Sequence, residues 1–304
     1  LQWGALNCVA NGTLLREEIF DNIWIQPAAG DAGGALGAAL STWHLHYKNE
    51  RNLSEGYDSM KGSYLGPEFS GDETKEELNS CGAVYKKLSD KDLIEEIVSA
   101  LEEQKAIGWM QGRMEFGPRA LGGRSIIADP RSVTMQKQLN LKVKYRESFR
   151  PFAPSILNDD VSKWFEINVV SPYMLFVADV KEDKRRSMSS SEKLLFGIDK
   201  LNVPRSSIPS VTHVDYSARI QTVHSETNPL FYSLISKFKE KTGCPLVINT
   251  SFNIRGEPIV CTPSDAFNCF MGTDLDMLAI GNYLLVKSDQ KISKGDYRKN
   301  YNLD

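Results

Sequence analysis

Residues 142–157 read KVKYRESFRPFAPSIL, and residues 249–266 read NTSFNIRGEPIVCTPSDA. The first stretch holds Lys144-Tyr145-Arg146 and runs into an extended segment over 151–157. The second holds Ser251-Phe252-Asn253 and follows a strand over 245–249. Strand side chains alternate, so Lys144 and Arg146 on an extended backbone point to one side. The same spacing sets the Ser251 hydroxyl and the Asn253 carboxamide on one side of the second tract. A fold that joins the two tracts makes a compact pocket for a small phosphorylated or carboxylated ligand. Lysine supplies a point charge, arginine a planar fork, and the other two uncharged hydrogen-bond partners. Either tract alone says little, since K-x-R and S-x-N recur by chance, so the surrounding sequence decides.

Around these tracts strands and helices alternate. The pattern predicts strands over 106–111, 125–128, 173–180, 219–223, 277–280 and 283–287. Helices are expected over 90–104, with Leu93, Ile94, Ile97, Val98 and Leu101 on one face, and over 132–143, 229–241 and 263–271. The serine-rich stretch 187–210 reads as a loop or lid. Upstream, 7–20 reads as a helix, 22–26 as a short strand, and DAGGALGAAL from Asp31 as a helix with Asp31 near its N-cap. The polar, glycine-broken segment 49–74 reads as a linker. The fold class is therefore α/β, a mixed twisted sheet with flanking helices. The domain reading is a fragment at 1–48, a linker and connecting helix at 49–88, and the main domain at 89–304.

The chain of 304 residues is 41% hydrophobic and 25% charged with a net charge of −3, ordinary for a soluble globular protein. It contains no apolar run near the roughly 20 residues of a membrane helix, and a cytoplasmic location is expected. Five cysteines match no zinc spacing and read as free thiols. Charge is unevenly spread. Residues 108–150 carry nine Lys or Arg against three acids, +6, so the rest sums to −9. Within that run Arg113, Arg119 and Arg124 alternate with glycines and Pro118, which lets backbone N–H groups and guanidinium forks turn toward an anion. Few aromatics accompany it and no nucleic-acid module matches, so nucleic acid is not the expected partner.

These stretches resemble the O-carbamoyltransferases of nodulation-factor and antibiotic tailoring. The likeness lies in GRMEFGPRALGGRSIIADPR (112–131), KVKYRESFRPFAPSIL, THVDYSARIQTV (212–223) and NTSFNIRGEPIVCTPSDA. The resemblance implies a C-terminal domain similar to the threonylcarbamoyl-adenylate synthase fold, in which Lys144, Arg146, Ser251 and Asn253 form a tetrad. It implies that carbamoyl phosphate and ATP, with its Mg2+, give carbamoyl-adenylate there. The carbamoyl group would then pass to a hydroxyl-bearing small molecule or glycan in an actin/Hsp70-like ATPase domain holding an iron-type metal. On this reading Lys144 and Arg146 hold the carbamoyl phosphate or acyl-adenylate, while Ser251 and Asn253 orient nucleotide phosphate and carbamoyl amide. Arg119 and Arg219 clamp phosphate, with Arg113, Arg124 and Arg255 as further candidates.

ALNCVANG (5–12) and PAAGDAGGALGAAL (27–40) resemble only the tail of that ATPase-like domain, with Asp31 on a metal-ligand position. The other ligands lie outside the chain, so an N-cap role for Asp31 is expected and a separate N-terminal half becomes a candidate partner. Three departures stand out: Gln2-Trp3-Gly4, Gly123 and Tyr216 replace the family's usual residues. An ion pair between Glu257 and a site arginine is expected, as are core places for Trp109, Trp164, Phe149, Phe152 and Phe165. Two alternatives stay open: a threonylcarbamoyl-adenylate synthase-like enzyme of tRNA modification, and a truncated, non-catalytic nucleotide-binding protein.

Overall fold

A computed structural model describes residues 2–52, 58–291, 297 and 301. Its strands are β1 (Lys86–Lys87), β2 (Ile107–Met110), β3 (Arg124–Ala128), β4 (Ala153–Leu157), β5 (Phe176–Asp179), β6 (Ser217–Val223), β7 (Leu246–Ser251), β8 (Met277–Ile280) and β9 (Tyr283–Val286). They form one nine-stranded sheet in the order β1-β9-β8-β2-β3-β7-β4-β6-β5. The pairs β2–β8 and β4–β6 are parallel and the others antiparallel, so the sheet is mixed as the alternation predicted. Every residue of β2, β3 and β4 is buried, which requires cover on both faces.

Helices supply the cover. Asp90–Glu102 is started by Ser89, whose hydroxyl accepts the Asp92 N–H, and its stripe of Leu93, Ile97, Val98 and Leu101 is fully buried. Each such side chain contributes about 1.5–3 kcal/mol on burial. It packs on Pro229–Thr242, which begins with Asn228 as cap and Pro229 at the first position and ends at left-handed Gly243. That second helix covers β4 and β7, while Pro263–Gly272 covers β2 and β8.

Register fixes what the sheet presents. Gln221 pairs with Ser155, Ser155 with Val247, and Ala153 with Asn249. Alternation then sets Arg219, Ala153, Asn249 and Ser251 on one face. Asn249 Nδ2 reaches Ser155 Oγ and Gln221 Oε1, both at 2.9 Å, and Gln221 Nε2 reaches the Leu121 carbonyl at 2.7 Å. This buried polar lattice ties the loop over 118–122 to the sheet.

Several expectations are corrected. Residues 22–26 pair with no strand. Asp31 is the first residue of its helix and Gly30 its N-cap. Lys144 has helical dihedrals at the end of the π-turn Leu139–Val143, and Tyr145 is left-handed at φ 48°, so the K-x-R tract is bent rather than extended. The described part of the segment read as a linker is folded: Phe116 N–H bonds Ser63 O at 2.6 Å, Met114 N–H bonds Pro67 O at 2.9 Å, and a capping box at Ser70 opens Gly71–Ser80. The two-residue β1 had no pattern to announce it.

Candidate functional site

The face carrying Arg219, Ala153, Asn249 and Ser251 is the floor of a cavity of about 480 Å3. Pro118 to Ala120 form one wall, Arg146 and Arg150 to Phe152 another, and Cys8 and Val9 close a third. Cys8 opens the helix Cys8–Arg16, which lies against β5 so closely that a Cβ on Gly12 would stand 2.6 Å from the Val177 carbonyl. Asn11 Nδ2 bonds Leu175 O at 3.1 Å and anchors that helix.

Beside the floor the two tracts meet. The Lys144 ammonium donates to Ser251 Oγ at 3.2 Å, to Asn253 O and Asn253 Oδ1 at 2.9 Å each, and to the Ser251 carbonyl. Ser251 Oγ–H donates to Asn253 Oδ1 at 2.6 Å. Lys144 is only 4% exposed. Burial, then the nearby Arg146 guanidinium, push its ammonium down to about 7. The four residues divide their work. Arg146 and Ser251 line the cavity, while Lys144 and Asn253 form the knot that holds the turn behind it.

Four arginines line the cavity: Arg119, Arg146, Arg150 and Arg219. Burial, then the Arg150 guanidinium, push Arg146 down to about 10. Burial, then Arg119, do the same to Arg219. Burial also lowers Arg119. The Nε–H groups of Arg119 and Arg219 are buried without a partner among the described residues. Arginine keeps its proton at neutral pH, so this is a cluster of poorly solvated positive charge whose repulsion an anion would relieve. The one carboxylate at the cavity edge among the described residues, Asp215, is held by Ser217 Oγ at 2.7 Å and by His213 Nδ1 at 3.1 Å.

Other candidates lie elsewhere. Arg124 is fully buried and its terminal guanidinium nitrogens bond carbonyls, those of Gly123 (3.0 Å), Gly112 (3.1 Å), Pro67 (3.2 Å) and Gln111 (3.3 Å), which makes it a brace. Arg113 is half exposed, bonded to Gly66 O and 3.5 Å from Glu68. Arg255 is exposed, near Glu147. Glu257 makes no ion pair among the described residues; its carboxylate takes the Ile254 N–H at 2.7 Å and the Tyr297 hydroxyl. His224 bonds Thr222 Oγ1 at 3.0 Å and lies outside the cavity lining. Trp109, Phe152 and Phe165 are core, whereas Phe149 is 43% exposed.

Sequence reasoning missed two residues. Arg150 was counted only as charge. Glu115, buried, accepts the N–H of Leu121 (2.6 Å), Gly123 (2.7 Å) and Arg124 (3.4 Å), so it closes the loop that carries Arg119. Its signal was an isolated acid inside a basic, glycine-punctuated run. A second cavity of about 500 Å3 adjoins the first through Arg150, Pro151 and His213. Its lining is mixed: Val133, Phe149, Val203 and Pro204 are apolar, while Gln136, Glu147, Arg150, Asn202 and Arg205 are polar or charged.

The sequence places the chain in a class: it belongs to the carbamoyltransferase family. Residues 98–287 match the family's C-terminal domain, described as Carbamoyltransferase C-terminus, and residues 4–40 match Carbamoyltransferase N-terminus. The chain is 57% identical to the uncharacterized protein sll1178 of Synechocystis, covering 99% of this chain and 49% of that protein. It is 41% identical to nodulation protein NolNO of Sinorhizobium fredii, over 93% of this chain and 38% of the relative. It is 40% identical to nodulation protein NolO of Bradyrhizobium diazoefficiens, over 93% and 48%. The chain thus spans half or less of the length of these relatives. Full-length HypF, solved in a phosphate- and nucleotide-bound form, overlaps 64% of this chain and 25% of its own at 16% identity, with a TM-score of 0.39.

Proposed function

We propose that this chain is the part of an O-carbamoyltransferase that makes carbamoyl-adenylate from carbamoyl phosphate and ATP, for later transfer to a hydroxyl of a small molecule or glycan. The observation that carries the reading is the arginine cluster facing Ser251 across one cavity. Water would cleave carbamoyl phosphate to carbamate and phosphate. A carbamate oxygen would then form a bond to the α-phosphorus of ATP as the bond to the pyrophosphate oxygen breaks. Both partners are anions, so the protein's task is to neutralise charge and align the attack. Arg119, Arg146, Arg150 and Arg219 supply the positive field, and the Ser251 hydroxyl beside the lysine knot would turn its proton from Asn253 Oδ1 to an oxygen of the bound anion. Low-dielectric surroundings strengthen each of these contacts. The adjoining cavity is sized for the nucleoside, with apolar Val133, Phe149 and Val203 beside Gln136 and Glu147, which are available to the base edge. The likeness to the threonylcarbamoyl-adenylate synthase fold belongs to this proposal as well.

Asp31 fits no metal centre by itself: it is exposed on the first turn of its helix, and the described residues hold no group of three His, Cys, Asp or Glu that could bind a metal. Among the described residues the cavity edge offers a single carboxylate, Asp215, so Mg2+ would come with ATP rather than be held by the protein. No step is routed through either metal.

The test is carbamoyl-phosphate-dependent ATP–pyrophosphate exchange by the purified chain. Charge-assisted hydrogen bonds contribute about 1.5–3 kcal/mol each, so Arg219→Met and Ser251→Ala should each slow exchange by about tenfold or more. Arg219→Met should do so with its thermal transition unchanged or raised, because it removes a half-buried charge repelled by Arg119. Exchange that ignores carbamoyl phosphate, or that survives both substitutions, rejects the proposal. Dependence on threonine and bicarbonate instead would move the chain to tRNA modification.

A further inference from the structure

Glu257 does not face the cavity, yet it stands one bond behind it. Its main-chain carbonyl accepts Asn253 Nδ2–H at 2.6 Å and its Oε2 accepts Ile254 N–H at 2.7 Å. The Cys269 thiol also bonds it. Its other oxygen, Oε1, accepts the hydroxyl of Tyr297, forty positions further along the chain. Tyr297 is 7% exposed, and its hydroxyl lies 3.2 Å from that of Tyr301. Burial and the bond to Glu257 push its phenol up, which keeps it protonated and donating.

The same ring reaches the other tract. Tyr297 packs onto Gly272, where any Cβ would collide with it, and the Gly272 carbonyl accepts the hydroxyl of Tyr145 at 3.0 Å. Tyr145 is the left-handed residue between Lys144 and Arg146. One side chain near the chain's C-terminal end therefore touches the supports of both tracts.

We infer that Tyr297 is a positioning residue of the anion site, holding the Ser251–Asn253 turn through Glu257 and the Lys144–Arg146 bend through Gly272. The inference rests on the reading of the cavity given above. A buried carboxylate that loses a donor must turn toward another one, since an unmet buried charge is costly. The nearest consequence is a turn of the Glu257 carboxylate, which frees the Ile254 N–H; the turn so loosened then lets the Asn253 amide move off the Glu257 carbonyl. Ser251 Oγ then loses its fixed place, because Asn253 Oδ1 is its acceptor.

Tyr297→Phe separates the hydroxyl from the ring, which still fills the space at Gly272. Two readouts decide: amide hydrogen exchange at Ile254, and calorimetric titration of inorganic pyrophosphate. The Phe variant should keep its thermal transition, exchange the Ile254 amide about tenfold faster, and bind pyrophosphate about fivefold more weakly, as expected for one lost hydrogen bond to a charged group felt indirectly. Glu257→Gln should weaken pyrophosphate by a similar factor, since it acts along the same path. Tyr297→Ala should lose thermal stability as well. Wild-type exchange at Ile254 in the Phe variant overturns the inference, as does wild-type pyrophosphate affinity in both conservative variants. If the wild-type chain binds no pyrophosphate, the anion-site reading falls, and exchange at Ile254 alone still decides the role of Tyr297.

Discussion

Lys144 shows how a charged residue can serve a site without facing it. Its ammonium is shared among four oxygens of the Ser251–Asn253 turn, and burial beside Arg146 pushes it down to about 7. An unfolded lysine titrates near its ordinary value of about 10.4, so between about pH 7 and that value the unfolded chain holds a proton the folded chain lacks. Folding stability should therefore rise with pH across this window, by at most about 1.4 kcal/mol per pH unit from this group. A Lys144→Met variant lacks the effect. The wild-type melting temperature minus that of the variant should climb between about pH 7 and about pH 10. A flat difference would mean that the ammonium keeps its ordinary affinity for the proton. Residue identity was the most legible part of the site: Arg146, Ser251, Arg119 and Arg219 were named from spacing and resemblance, and all four line the cavity. The bend at Tyr145 was not legible, because a left-handed tyrosine has no sequence signal.

At the scale of elements, the loop over 116–123 is held by further buried contacts beside its tie to Gln221. Glu115 ties its end through three N–H groups, and Gly122, at φ +108°, lies against the Phe231 ring of the Pro229–Thr242 helix. A Cβ on Gly122 would stand 2.5 Å from that ring. Gly122→Ala should therefore cost about 1–3 kcal/mol in denaturant unfolding, through the positive φ and through overpacking. An unchanged midpoint would show that the helix yields freely. Long periodic elements such as Asp90–Glu102 were readable because their apolar stripes decide burial. The segment around 60–70 was not, since its polar, glycine-rich composition reads as linker while its backbone carbonyls serve as partners for Arg124 and for the residues around it. The strand expected over 22–26 failed because extended backbone without a neighbour forms no ladder.

Across the whole molecule, the +6 of residues 108–150 against −9 elsewhere becomes a local feature. The fold brings Arg119, Arg146 and Arg150 from that run together with Arg219 from β6 around one cavity, and the N-terminal residues Cys8 and Val9 complete its wall. Charge steering toward such a cluster needs no excess of positive charge on the whole protein. No helix among the described residues is long and apolar enough to cross a membrane. The most direct test of the anion-site account is the position of pyrophosphate in crystals of this chain. The account places its oxygens within hydrogen-bond reach of Ser251 Oγ and the Arg119, Arg146 and Arg219 guanidinium groups. Pyrophosphate bound elsewhere, with this cavity holding only water, would contradict it.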